Sequence, residues 1–425
     1  MKRLCVAMCG LAAAVSSAAA ADPTVVAPPE AWSVTFASEA RYYSWAGNRG
    51  YPTTVNTAPG SGSEVYVPFA LQLAGKPAED FKVQFLVRGG WVRAHQGTPG
   101  MTGTVDTATD TVTSGTVTYL GINGVQPFAA LNLNLPSGRS ALFGSAAFAR
   151  MDPDLVEIAT FGEGFNIGPT AGLNLPITPS LIFTTSVGYT WRGPFDRERS
   201  TAEPNPAIQS PTSVNPGNVL TGTASIGYQD NRWAWSLTGT VSEETTTTEN
   251  GIDLYRAGRR YLGTASASYT WPGQGGQTTL TGSAVHSNHN DVKFLALPAL
   301  VKELMNTNSN LFRIGAQHLF PVGQTIAVGP TASFLRRDHN GYAPGILQMV
   351  PEKDRWALGG LARMAVAQNV TLNVRAERVW THENERPAPN GLQFSVLANA
   401  FVAALPVPVV SSHGWVAAFG ADVKF

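Results

Sequence analysis

Ten charged residues, most of them between apolar or small neighbours, fall at the two-residue spacing by which a β-strand presents one row of side chains on a single side. They are Glu39, Arg41, Lys82, Arg88, Arg192, Glu244, Arg355, Arg363, Arg375 and Glu377, seven basic and three acidic. Facing an enclosed aqueous space, such arginines set a field that favours anionic or polar solutes. A purely structural role competes with that reading: Arg and Glu of neighbouring strands pair across an interior and stiffen its wall. A second stretch, residues 291–306, breaks the period of two. Leu297, Leu300, Val301 and Leu304 fall at helical spacing there, with Lys302 and Glu303 on another side. This predicts an apolar helix in a loop, lining the mouth of whatever the strands enclose or capping neighbouring loops outside it. The apolar segment 394–410 could serve the same end or be an ordinary strand.

His95, His286, His289, His339, His382 and His413 fall near expected loops, and His286 and His289 stand three apart with Asp291 beside them. Such clusters can bind zinc or copper, but loops gather polar residues without any metal, and no cysteine assists. No metal and no cofactor are expected. The chain has no G-x-S-x-G elbow, no H-E-x-x-H and no phosphate loop, so no catalytic residue is assigned and the chain reads as a non-enzyme. A membrane-embedded hydrolase and a structural or adhesive barrel are the minority alternatives.

Strands must position these residues. In the last of them Trp415, Ala417, Phe419, Ala421, Val423 and Phe425 form one apolar row, and Val416, Ala418, Gly420, Asp422 and Lys424 the other. This resembles the carboxy-terminal signal of bacterial outer-membrane β-barrel proteins, whose terminal Phe closes the last strand. Phe419, Val423 and Phe425 are then the assembly signal, read by the barrel-assembly machinery. The alternation recurs from Trp32 onward, with long polar loops and short turns taking turns. Residues 96–113 read as a loop, followed by a strand ending in Leu131, Leu133 and Leu135, a periplasmic turn at 136–138, a strand over 140–150 and a loop over 151–163. If residues 384–408 are one extracellular excursion, the strands number about sixteen, in a range of 14 to 18. The expected fold is therefore all-β: a closed antiparallel transmembrane β-barrel with long extracellular loops and short periplasmic turns.

Charged residues make up only 14% of the chain, too few for a large soluble surface, and the formal net charge is zero, which excludes a nucleic-acid partner or a polybasic membrane arm. Residues 1–21 read as a secretory signal peptide, with Lys2 and Arg3 before an apolar core and small residues before Asp22. Residues 22–31 form a periplasmic leader and 32–425 the barrel. Both cysteines, Cys5 and Cys9, lie in the signal. Outer-membrane lipid and a small-molecule solute are the expected partners. The chain looks like a porin-like channel for passive passage of small solutes. Leu133-Asn-Leu-Pro-Ser-Gly138, Asp152-Pro-Asp154 and Val187-Gly-Tyr-Thr-Trp-Arg-Gly193 are similar to the outer-membrane family linked to phenol meta-pathway degradation. That resemblance implies gated uptake of hydrophobic or aromatic compounds as the alternative.

Overall fold

The computed structural model describes residues 32–48, 59–197, 212–273, 275–293, 299–344, 346, 349–387, 393–395, 400–402, 406 and 408–425. The expected signal peptide, the leader and Leu297 lie outside them. Sixteen antiparallel strands close into one barrel. They are β1 (Ser33–Gly47), β2 (Gly60–Ala78), β3 (Phe81–Thr98), β4 (Met101–Ala108 continued by Thr111–Tyr119), β5 (Gln126–Leu135), β6 (Asn166–Thr178), β7 (Leu181–Arg192) and β8 (Val219–Gln229). The second half is β9 (Trp233–Glu244), β10 (Arg260–Thr270), β11 (Gln277–Ser287), β12 (Leu311–Val322), β13 (Ile326–Arg337), β14 (Lys353–Ala367), β15 (Val370–Glu383) and β16 (Val410–Lys424). Each strand pairs with the next, and β16 returns to β1 in a register running from Thr35 opposite Lys424 to Gly47 opposite Ser412. Beyond that ladder the Phe425 amide donates to the Val34 carbonyl at 2.8 Å. No edge is left.

The alternation read from sequence is the inside–outside alternation of the wall. In β16 Trp415 and Phe419 are exposed while Val416 and Ala418 are buried. Val187, Leu237, Leu280, Ile314, Leu358 and Val374 are likewise exposed on other strands. An exposed apolar belt on a closed sheet belongs in hydrocarbon, where every backbone group must find its partner within the ladder. Aromatic rings cluster at both margins. Trp233 packs on Tyr269 at 4.6 Å and Tyr269 on Trp271 at 4.8 Å at one end, and Tyr189 on Trp191 at 4.8 Å and Phe334 on Trp356 at 4.1 Å at the other. This is the girdle arrangement of interfacial aromatics.

The count of sixteen agrees with the sequence reading, although two of its assignments are wrong. Residues 96–113 are not a loop: β3 and β4 form a hairpin whose tip is Pro99-Gly100, with Gly100 at φ +82. A turn at 120–125, with Gly124 at φ +77, then leads to β5. Residues 140–150 hold no strand, only a short 3-10 turn over Gly144–Ala149. One strand gained and one lost leave the parity unchanged. Of the expected excursion 384–408 and the apolar segment 394–410, parts lie outside the described residues; among those described, Gln393–Ser395 pairs with Ala400–Val402 in a two-stranded sheet separate from the barrel. Leu237 and Thr238 point to opposite sides of β9. Replacing Leu237 by Arg should cost about 2–4 kcal/mol if that row faces the bilayer midplane, read as a lower urea midpoint in liposomes, whereas Thr238→Arg should cost much less.

Candidate functional site: the lumen and its inner loop

Where β5 ends at Leu135 the chain leaves the wall and does not return until Asn166. Residues 136–165 fold into the barrel. Asp110, between the two pieces of β4, fixes both feet of this loop: Oδ1 accepts the Gly138 amide at 2.9 Å, and Oδ2 accepts the Glu163 amide at 2.7 Å and the Asn134 side chain at 2.8 Å. At Gly138 the strands of the loop pass so closely that an added Cβ would lie 1.9 Å from the Phe161 carbonyl oxygen, so only glycine fits.

The loop carries its own apolar residues, and the wall supplies a matching patch. Leu142, Ala149, Met151, Leu155, Val156 and Phe161 pack on Tyr43, Trp45, Val92, Ala94, Val105, Ala357, Val379 and Val416 in one buried cluster. Small wall residues admit this contact: a Cβ on Gly103 would lie 2.4 Å from the Ala149 amide nitrogen. Within the loop, Arg150 donates to the carbonyls of Ser140 at 2.9 Å and Ala159 at 3.1 Å, and lies 5.5 Å over the Phe161 ring. The inside of this membrane protein thus holds a small dry core of the kind that stabilises soluble domains.

Charged contacts tie the loop to several regions of the wall. On β1, Arg41 bonds Glu39 at 2.9 Å and, with Tyr43, Glu157 of the loop. On β2, the fully buried Glu64 accepts the Ile158 amide at 3.1 Å. On β13 and β14, Arg337 meets Asp154 at 2.8 Å, and Lys353 bonds Asp152 and Asp154 with Glu383 3.5 Å away. Removing one member of such a buried pair typically costs about 3–5 kcal/mol because the other charge is left uncompensated.

All ten charged residues singled out in the sequence lie on the inward rows of their strands, alternating with exposed outward residues such as Tyr42, Val187 and Trp356. Their roles divide. Arg192 sits between Glu244 at 3.5 Å and Glu163 of the loop at 3.7 Å. Arg363 donates to Asn373 at 3.0 Å, which donates to Asp422 at 2.7 Å. Glu377 accepts the Thr331 hydroxyl at 2.7 Å. Lys82, Arg88, Arg355 and Arg375 make no ion pair among the described residues. Sequence reasoning overlooked Arg260, Arg313, Arg337 and Lys353, which occupy the same inward rows. The signal was present, since Arg313 stands between the outward Phe312 and Ile314. It overlooked the loop acids Asp152, Asp154 and Glu157 because their segment was read as an external loop.

The expected helix at 291–306 is not formed among the described residues. Leu300 and Val301 lie in a strand, Leu300–Lys302, paired with Asp291–Lys293, and Leu304 is exposed. The reason is an available ladder. Extensions of three loops form a six-stranded sheet beyond the barrel rim, and Tyr255 and Arg256 offer Val292 and Asp291 backbone partners that outweigh helical spacing. The segment 133–138 is no turn on the side of the chain termini either; it is the point at the opposite end where the inner loop begins. His286 bonds Asn310, His289 the Glu303 carbonyl and His95 the Thr104 hydroxyl. Among the described residues no three His, Asp or Glu are grouped to hold a metal.

No family model matches the chain, and no curated protein does. Among solved structures it is similar to OpdO of Pseudomonas aeruginosa, with a TM-score of 0.42 and 9% identity over 93% of this chain and 98% of that one. It is also similar to the TodX deltaS2S3 mutant monoaromatic hydrocarbon channel, at 0.39 and 11% over 93% and 91%. An outer membrane channel from Pseudomonas putida F1 gives 0.36 and 8% over 94% and 100%. These likenesses are loose, and the barrel is established by its own strand pairing.

Asp110→Ala leaves three donors at the feet of the loop without their acceptor, at about 1–3 kcal/mol for each that stays buried. In folded barrels the expected outcome is faster tryptic cleavage after Arg139 and Arg150, followed by mass spectrometry, with the strands still protected.

Proposed function

We propose that this protein is a channel of a bacterial outer membrane through which small solutes pass passively, with the 136–165 loop as its constriction. The observation that carries the reading is a closed wall with a polar inner face, narrowed by a segment of its own chain that is fastened by Asp110 and by ion pairs on β1, β13 and β14. On the wall from β7 to β11, apart from Arg192, Glu244 and Arg260 at one end, hydroxyls line much of the inner face. Thr184, Thr221, Thr223, Ser225, Ser268 and Thr279 stand on its inward rows. Such groups donate and accept hydrogen bonds and hold no fixed charge.

The field inside is set by which charges are already paired. Glu39 and Glu157 are bound to Arg41, Asp152 and Asp154 to Lys353, and Glu244 to Arg192. Lys82, Arg88, Arg260, Arg313, Arg355 and Arg375 have no ion pair among the described residues. Anions are therefore the favoured solutes. Much of the apolar surface of the inner wall is consumed in packing the loop, so the polar reading is preferred to uptake of hydrophobic or aromatic compounds. Export through residues 1–21, and recognition of Phe419, Val423 and Phe425 by the barrel-assembly machinery, belong to the same reading. The outward exposure of Phe419 and Phe425 supports it.

In planar bilayers with a KCl gradient, the expected result is a steady single-channel current whose reversal potential shows chloride preferred over potassium. Replacing Lys82, Arg88 and Arg375 together by Gln should move that potential toward potassium. A cation-selective wild type would refute the anion preference, and the absence of any current would refute the channel.

A further inference from the structure

Four cations of β12, β13 and β14 crowd the place where the inner loop meets that wall. In register Arg313 stands beside Leu335 and Leu335 beside Arg355, so two guanidinium side chains flank one aliphatic one. Arg337 and Lys353 are paired two residues nearer the loop end. Asp154 enters between these strands and the loop with its side chain 1% exposed, 2.8 Å from Arg337 and 3.2 Å from Lys353.

Arg337 and Lys353 are enough to fasten a loop carboxylate. Arg313 and Arg355 are not used for it: neither has a hydrogen bond or ion pair to a described residue, and the Nε of each is buried without an acceptor. The inward Glu377 and Tyr43 are engaged elsewhere, Glu377 by the Thr331 hydroxyl and Tyr43 by Glu157. A guanidinium presents five N–H donors in a plane that matches a carboxylate, and a buried donor without an acceptor is costly enough to call for a ligand. The site has more donors than its occupant fills.

Resting on the channel reading above, we propose that Arg313 and Arg355, with Arg337 and Lys353 beside them, form a seat for a small carboxylate anion. Asp154 already holds Arg337 and Lys353, so a carboxylate solute drawn in by Arg313 and Arg355 competes with the loop for those two neighbouring cations. Anion entry then loosens the constriction on this side of the lumen, while Asp110 and Glu64 keep the loop attached elsewhere.

The test is succinate added to single channels in planar bilayers, each variant's current taken relative to its own current in KCl. Butane-1,4-diol is the uncharged control, and circular dichroism verifies folding. One charge-assisted bond is worth about 1.5–3 kcal/mol, so Asp154→Asn should lower the half-effective succinate concentration by about tenfold or more. Arg313→Gln with Arg355→Gln should raise it by a similar factor, and the diol should have no effect. Equal half-effective concentrations in the wild type and both variants would overturn the seat while leaving the channel reading intact. If the wild type carried no KCl current, the channel reading would fall. Equilibrium dialysis of labelled succinate against the folded protein would then decide the seat: tighter binding in Asp154→Asn and loss in the double variant support it, and no difference refutes it.

Discussion

A strand in hydrocarbon cannot leave a backbone N–H or C=O group unpaired, and everything else in this protein follows from meeting that demand by closure. The pairing of β16 with β1, from Lys424 opposite Thr35 to Ser412 opposite Gly47, removes the last free edge. Once the sheet is closed, the period of two gives each strand one row for lipid and one for the interior. The same rule that exposes Trp415 and Phe419 buries Val416 and Ala418.

Closure also creates a space that side chains alone do not fill. A sixteen-stranded wall is wider than the eight-stranded barrels whose interiors side chains pack. The chain narrows it with residues 136–165, and it does so with the tools of a soluble domain. Apolar residues of the loop meet apolar and small residues of the wall, and the buried amides of Gly138, Ile158 and Glu163 each find a carboxylate. The loop acids neutralise part of a basic interior and leave the rest for solutes. Position, not composition, decides this: the chain has 29 basic and 29 acidic residues, yet the unpaired charges on the inner rows are mostly arginine.

Along most of the wall, two-residue alternation was legible in the sequence. Alternation located most strands and placed all ten charged candidates on inward rows, because a one-residue slip would have put them in lipid. The terminal apolar row was legible for the same reason. The inner loop was not. Residues 140–150 contain enough Ala, Leu and Phe to read as a strand, and their partners, among them Val92, Ala357 and Val416, are far away in sequence. The helical spacing of Leu300, Val301 and Leu304 misled in the opposite way. A local pattern lost to a ladder supplied by Asp291–Lys293 and, beyond it, Ile252–Arg256, and nothing in the segment itself announces that ladder.

Docking of residues 136–165 inside the barrel can be read by amide hydrogen exchange of the protein folded in lipid. The amides of Gly138, Ile158 and Glu163, bonded to Asp110, Glu64 and Asp110, should be protected to the degree of the neighbouring strand amides of Val92 and Ala94. Exchange of these three at the rate of an unstructured loop, with the strands still protected, would contradict it.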